Sequence, residues 1–132
     1  MNTKSEKKLN YWYLIASFLS IVMGCIHVFI GGPKLNDPIQ QSTLSNGIRT
    51  VSEVAWHSFT ATYVLMSVAL LYLSNAPKNT ILAKYIIVQL VVFSMLFLSY
   101  SVMRFGDIKS MYLWPLFLII VAFIITGLRK SK

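Results

Sequence analysis

Acidic residues and cysteine are scarce in this chain. Four of its 132 residues are Asp or Glu, and charged residues make up 12% of the sequence. Soluble proteins usually carry roughly 25% charged residues, so the composition argues against a water-exposed globular domain. The single cysteine, Cys25, excludes an internal disulfide and a Cys-rich metal cluster.

The signature motifs of common enzymes are also missing. The sequence has no nucleophile elbow with a Ser-His-Asp set, no glycine loop for phosphates and no histidine-rich oxygenase boxes. The net charge of +8 does not indicate nucleic acid, because the basic residues lie at the chain ends and between apolar blocks. We therefore predict no nucleic-acid partner and assign no catalytic residue.

Long apolar blocks dominate what is present. Hydrophobic residues make up 56% of the chain. At about 1.5 Å per residue, a helix of about 20 residues crosses the roughly 30 Å hydrocarbon core of a bilayer. Four such blocks are predicted, at about 11–30, 54–74, 81–103 and 111–128. The sequence thus predicts one all-α integral membrane domain, residues 1–132, with four antiparallel transmembrane helices in contact with lipid.

Basic residues predict how these spans are oriented. Eight Lys and Arg residues lie at the two chain ends and in the turn near 75–84, whereas four lie on the opposite side. An excess of Lys and Arg near span ends marks the cytoplasmic side of a membrane. Both termini are therefore predicted in the cytoplasm, and segment 31–53 faces outward.

Segment 31–53 carries several local structure signals. The run Gly31-Gly32-Pro33 predicts the end of the first helix, because proline cannot continue it. Asp37-Pro38 predicts a short helix, with Asp as cap and Pro at the first helical position. Thr50 and Glu53 fit a capping box that begins the second helix. A short helix or structured loop is thus expected over the outer end.

Both histidines lie near this outer end. His27 and His57 each lie about one turn inside it, and Glu53 precedes His57 by four residues, on the same helix face. Two imidazoles and a carboxylate form a ligand set for divalent transition metals. Two histidines on facing helices could also hold haem b. The leading hypothesis is therefore a metal or haem site formed by His27, His57 and Glu53.

Two other hypotheses compete with a metal or haem site. One is a small transporter or binding protein, whose cavity for a lipid-like or small polar molecule lies under segment 31–53. Its candidate ligand-binding residues are Trp56, Tyr100, Met103, Arg104 and Asp107. The other is a structural or partner-binding subunit whose histidines only join helices, since polar side chains hold helices together in lipid. The small-residue stripe of Ser17, Ser20 and Gly24 favours close helix packing and association with a second copy or a membrane partner.

The run His27-Val-Phe-Ile-Gly-Gly-Pro33, followed by Trp56-His57 at the start of the second span, resembles small four-span bacterial inner-membrane proteins of uncharacterised function. The resemblance covers most of the chain, but its specific part is these two motifs. It implies the four-span fold and the multi-pass bacterial inner-membrane setting. It implies no activity.

Overall fold

Four helices make up the structure, a computed structural model that describes residues 9–131. They are α1 Tyr11–Gln40, α2 Asn46–Asn75, α3 Thr80–Phe105 and α4 Trp114–Lys130, and no strand occurs within residues 9–131. Helices α1, α2 and α3 are long and apolar enough to cross a membrane. The prediction of an all-helical chain, with helices long and apolar enough to span a membrane, is therefore confirmed. Four of the eight basic residues on which the predicted orientation depends, at positions 4, 7, 8 and 132, lie outside the described residues.

Helix α1 continues through the predicted stop at Gly31-Gly32-Pro33, so that prediction is wrong. It is α-helical over Tyr11–Cys25, π-helical over Ile26–Asn36 and α-helical again over Asp37–Gln40. Proline lacks an N–H and would clash with a carbonyl inside an α-helix. The wider π-helical bonding, in which the Asp37 N–H donates to the Gly32 carbonyl, accommodates Pro33. The helical turn predicted at Asp37 exists, but it extends α1.

Helix α2 begins earlier than predicted. Its N-cap is Ser45, whose hydroxyl accepts a hydrogen bond from the Ile48 N–H at 3.5 Å. The capping box predicted at Thr50 and Glu53 is therefore wrong, since both residues lie inside the helix. Serine is at least as good an N-cap as threonine, so local chemistry offers two starts, and the hairpin geometry selects the earlier one.

The ends of α1 and α2 are fastened to each other by Gln40 and Arg49. The Arg49 guanidinium donates to the Gln40 carbonyl at 2.9 Å, and the Gln40 side-chain amide donates to the Arg49 carbonyl at 3.1 Å. Arg49 also contacts the Asn46 side chain. Segment 31–53 is therefore a hairpin formed by the extended ends of two helices, joined by residues 41–45.

The four helices pack around one core. Helix α1 packs against α2 and α4, and α4 packs against α3. Each helix contributes fully buried side chains: Tyr13 and Ala16 from α1, Leu70 and Leu73 from α2, Ala83 from α3, and Phe117 and Ile124 from α4. By contrast, Phe18, Leu65 and Ile81 are 67–81% exposed. Large exposed apolar side chains on all sides are expected of a surface that faces lipid.

The small-residue stripe of α1 faces the interior, as predicted. Ser17, Ser20 and Gly24 are buried. The Ser17 hydroxyl donates to the Ser67 carbonyl at 2.8 Å, and the Ser67 hydroxyl donates to the Ser17 carbonyl at 2.9 Å. Such interhelical bonds contribute roughly 0.6–2 kcal/mol each in lipid. They fix the register of α1 against α2, and with it the position of His27.

Candidate functional site

His27 lies against Trp56 where α1 becomes π-helical. The two rings are stacked, with centroids 3.8 Å apart and an interplanar angle of 20°. Tyr63 meets the imidazole edge-on at 5.7 Å, and Phe59 lies at 6.3 Å. His27 is thus surrounded on the α2 side by three aromatic rings.

A hydrogen bond sets the tautomer of His27. Its Nε2 lies 3.2 Å from the Trp56 carbonyl oxygen, which also accepts the Thr60 hydroxyl at 3.3 Å. A carbonyl oxygen cannot donate, so Nε2 carries the proton in this contact. Nδ1 of the neutral ring then holds the lone pair. The Nε2 nitrogen therefore serves helix contact and is not presented to a ligand.

Gly31 allows the close approach of Trp56. A Cβ atom at this position would lie 2.9 Å from Cη2 of the Trp56 indole, well inside van der Waals contact. A Cβ at the neighbouring Gly32 would meet nothing within 4 Å. The two glycines therefore differ in role, and only Gly31 makes room for the indole.

A cavity of about 250 Å³ lies beside the His27–Trp56 pair. Its walls come from three helices and from the segment that precedes α4. They comprise Ile26, His27, Gly31, Lys34 and Leu35 of α1, Trp56 of α2, Phe97 and Phe105 of α3, and residues 110–113. The cavity is partly enclosed and mostly apolar. Binding sites for small molecules are commonly apolar clefts with a few polar groups.

The segment before α4 is held as a firm wall. The Trp114 indole N–H donates to the Ile108 carbonyl at 2.9 Å, and Ser94 of α3 donates its hydroxyl to the Trp114 carbonyl at 3.0 Å. The Met111 N–H donates to the buried Ser101 hydroxyl at 3.2 Å. The cavity wall is thereby anchored to α3.

Aromatic side chains packed toward the helical core form the floor of the cavity. Phe97 lines the cavity and meets Phe117 of α4 edge-on at 5.5 Å. Phe117 is fully buried and also contacts Phe93 at 5.9 Å and Tyr63 at 6.4 Å. Tyr63 in turn contacts His27. This connected set of rings makes the floor rigid, which lowers the entropy cost of binding a ligand.

Lys34 alone carries a formal charge among the described residues lining the cavity. It lies in the π-helical segment, one residue after Pro33. Helical segments with π bonding are rare and often occur at functional sites. An apolar cleft with one ammonium group at its edge suits a molecule with an apolar body and an acidic head.

The structure does not bring together the three predicted metal ligands. His57 and Glu53 are exposed, while His27 is half-buried against Trp56. Within residues 9–131, no group of three or more His, Cys, Asp or Glu side chains is placed to hold a metal ion. Adjacent helical residues point about 100° apart, so α2 turns His57 away when Trp56 faces inward. The helix face that carries Glu53 and His57 is exposed, and α2 packs through Trp56, Tyr63 and Ser67 instead.

The other predicted ligand-binding residues divide into two groups. Trp56 lines the cavity. Tyr100, Met103, Arg104 and Asp107 are exposed at the same end of the molecule and do not line it.

Asp107 instead organises the loop that follows α3. Gly106, with φ of 74°, ends the helix in the left-handed conformation. Asp107 then accepts the backbone N–H and hydroxyl of Ser110 at 2.7 and 2.8 Å, and the Lys109 N–H at 2.6 Å. The Ser110 bonds, followed by the Lys109 bond, hold the pKa of the Asp107 carboxyl below its usual value.

Sequence reasoning missed several cavity residues. In the sequence, Lys34 counts only as one of the charges on the outer side, Phe97 and Tyr112 lie within predicted spans, and Phe105 lies in the connection between the third and fourth spans. No local pattern separates these aromatics from those that face lipid. Pro33 was the available signal, since a proline kept inside a helix requires a kink or a π-helical widening, which redirects the side chains around it, including Lys34.

No protein-family model matches this chain, and no significant match was found among curated proteins or solved structures. The geometry of the chain itself is therefore the basis for assigning a function.

Proposed function

We propose that this chain is a small integral membrane protein that binds an amphiphilic, lipid-like molecule in the cavity beside His27 and Trp56. The observation that carries the proposal is the cavity of about 250 Å³, built jointly by three helices and an anchored loop. Its volume is slightly below the range of roughly 300–1,000 Å³ typical of ligand sites. A long ligand would therefore extend through the open side of the cavity.

Charge and polarity favour a ligand with an acidic head. Lys34 supplies an ammonium group at the edge of the cavity, and Phe97, Phe105 and Leu35 supply apolar contact. Burying an isolated charge in such a site is costly unless it is paired, so the acidic head belongs beside Lys34. The apolar body then contacts the aromatic floor.

Helix length and charge support the proposed membrane setting. We place all four helices across a bacterial inner membrane, since the 17 residues of α4 reach the lower limit of about 17–25 residues for a span. Asn10 and Ser131 are joined by a 2.8 Å hydrogen bond, and this contact between the two described chain ends supports placing both on one side of the membrane. That end has four basic and no acidic residues within 9–131, which favours the cytoplasm.

A structural role for His27 is the second candidate. The stack on Trp56 and the bond to its carbonyl support it, since both contacts join α1 to α2. The candidates differ in what a His27→Ala variant loses. A purely structural histidine affects thermal stability alone, whereas a histidine of the binding site also affects ligand occupancy at temperatures where the protein is folded.

The direct test uses tryptophan fluorescence with a brominated fatty acid as the probe, because bromine quenches a nearby indole. The variant measured keeps only Trp56, with Trp12→Phe and Trp114→Phe. We expect saturable quenching of Trp56, rather than the gradual, non-saturating quenching that a probe entering the detergent would produce.

A size change at the cavity wall provides the matched control. Leu35→Phe narrows the cavity and should weaken saturable quenching of Trp56. Ile48→Phe, on the exposed surface of α2 at the same end, should leave it unchanged. Quenching of Trp56 that does not saturate, or no difference between these two variants, would refute the proposal.

A further inference from the structure

The opposite end of the molecule carries only basic charge among the described residues. Lys78, Lys84, Arg129 and Lys130 lie there, while Asp37, Glu53 and Asp107 lie at the other end. Two helices begin and two helices end at this level, so their macrodipoles largely offset each other. The lysine and arginine side chains therefore decide the local electrostatic potential.

Two of these lysines line one groove. The groove has a volume of about 460 Å³ and runs between the start of α1, the turn after α2 and the end of α4. Lys78 reaches it from the turn and Lys130 from the end of α4, and both are exposed. Leu9, Tyr11 and Trp12 form its apolar side. The groove thus places two ammonium groups beside an apolar surface.

Asn10 lies in the groove, but its side chain is fully used in holding the helices together. Its amide donates to the Gly127 carbonyl and to the Ser131 hydroxyl, both at 2.8 Å, and its oxygen accepts the Trp12 N–H at 3.1 Å. The Asn10 N–H donates to the Ser74 carbonyl at 2.9 Å. The groove is therefore rigid, and the lysines are the groups that it offers to a ligand.

We propose that this groove binds the phosphate headgroup of an anionic phospholipid, with Lys78 and Lys130 on the phosphate and the acyl chains along the apolar side. Basic pockets between transmembrane helices are suited to anionic headgroups. Trp12 packs on Phe123 at 5.9 Å and is 37% exposed, and tryptophan and tyrosine favour the headgroup level of a bilayer. Exposed ion pairs are individually weak, so the two lysines alone would bind a free phosphate only weakly. A phospholipid adds contact between its acyl chains and the apolar side of the groove. This site is independent of the cavity at the other end.

The test is native mass spectrometry of the full chain in detergent, with phosphatidylglycerol and phosphatidylcholine of identical acyl chains. We expect preferential binding of phosphatidylglycerol. Removing both lysines with Lys78→Gln and Lys130→Gln should weaken that binding on the order of tenfold, without changing phosphatidylcholine binding. Each single variant should lose part of the preference.

The matched control removes two positive charges at the other end, with Arg104→Gln and Lys109→Gln, and should leave the preference unchanged. An equal loss in both double variants would show a general charge effect and overturn the site. Equal binding of the two lipids would also overturn it. Displacement of phosphatidylglycerol by an equal concentration of inorganic phosphate would overturn the lipid assignment.

Discussion

Replacing Gly31 by alanine tests the contact on which the cavity wall depends. The added Cβ would lie 2.9 Å from Cη2 of Trp56 and 3.4 Å from Cζ2. The indole cannot retreat without cost, because its ring is stacked on His27 at 3.8 Å. Relief requires Trp56 to rotate away from Gly31, which disturbs the stack and changes the shape of the cavity.

Gly32→Ala is the matched control for the magnitude. Both variants replace Gly by Ala in the same helix, which by itself stabilises the helix by roughly 0.5–1 kcal/mol. This stabilisation is similar at the two positions and cancels when the variants are compared. Only position 31 meets a neighbouring atom within 4 Å. Overpacking typically costs about 1–3 kcal/mol. Since the contact is with the edge of a ring that can rotate, we expect Gly31→Ala to be less stable than Gly32→Ala by about 1 kcal/mol, in the lower part of that range.

The assay is thermal unfolding of both variants in the same detergent. For a chain of this size, a difference of about 1 kcal/mol corresponds to a Tm difference of about 4 °C. The fluorescence of a Trp56-only background should also change with Gly31→Ala and stay constant with Gly32→Ala. If Gly31→Ala melts at or above the temperature of Gly32→Ala, the close approach of Gly31 and Trp56 is refuted.

Two further predictions concern the opposite end and the loop. Asn10→Ala removes the hydrogen bond to the buried Gly127 carbonyl and should destabilise the chain by about 1–3 kcal/mol. The control is Asn75→Ala, because Asn75 is exposed and its side chain bonds within its own helix. In the same thermal assay this change should cost less than about 0.5 kcal/mol. Because hydrogen bonds lower the pKa of Asp107, its ionised form adds stability above the unfolded-state pKa of about 3.9. That stability is lost as pH falls through the lower folded-state pKa. Chemical unfolding should therefore give Asp107→Asn a lower free energy of unfolding than the parent chain above this pH window, and the two values should converge below it.

Helix existence was predictable because long apolar blocks leave few alternatives in lipid. A backbone in the hydrocarbon core must satisfy its own polar groups, so blocks of about 20 apolar residues form helices whatever their neighbours. The inward stripe of Ser17, Ser20 and Gly24 was also predictable, since small residues mark close helix contacts. These features depend on local composition and spacing alone.

Helix ends were predicted less well. Ser45 and Thr50 both offer an N-cap for α2, and the sequence alone does not choose between them. Gly31-Gly32-Pro33 carries strong stop signals, yet α1 continues through it as a π-helix. The pairing of Gln40 with Arg49 across the hairpin supports the longer helices, and that pairing joins residues that are distant along an unfolded chain.

The amino-acid sequence by itself determined that the chain is helical, that it carries helices able to span a membrane, and that both histidines and three of its four acidic residues lie toward one end. Only the tertiary structure decided that Trp56, rather than His57, faces His27, and that Lys34 borders the cavity. The physical reason is that lipid is as apolar as the protein core, so apolar residues cover every side of each helix. Hydrophobic periodicity then does not mark the inward face, and packing between helices selects it.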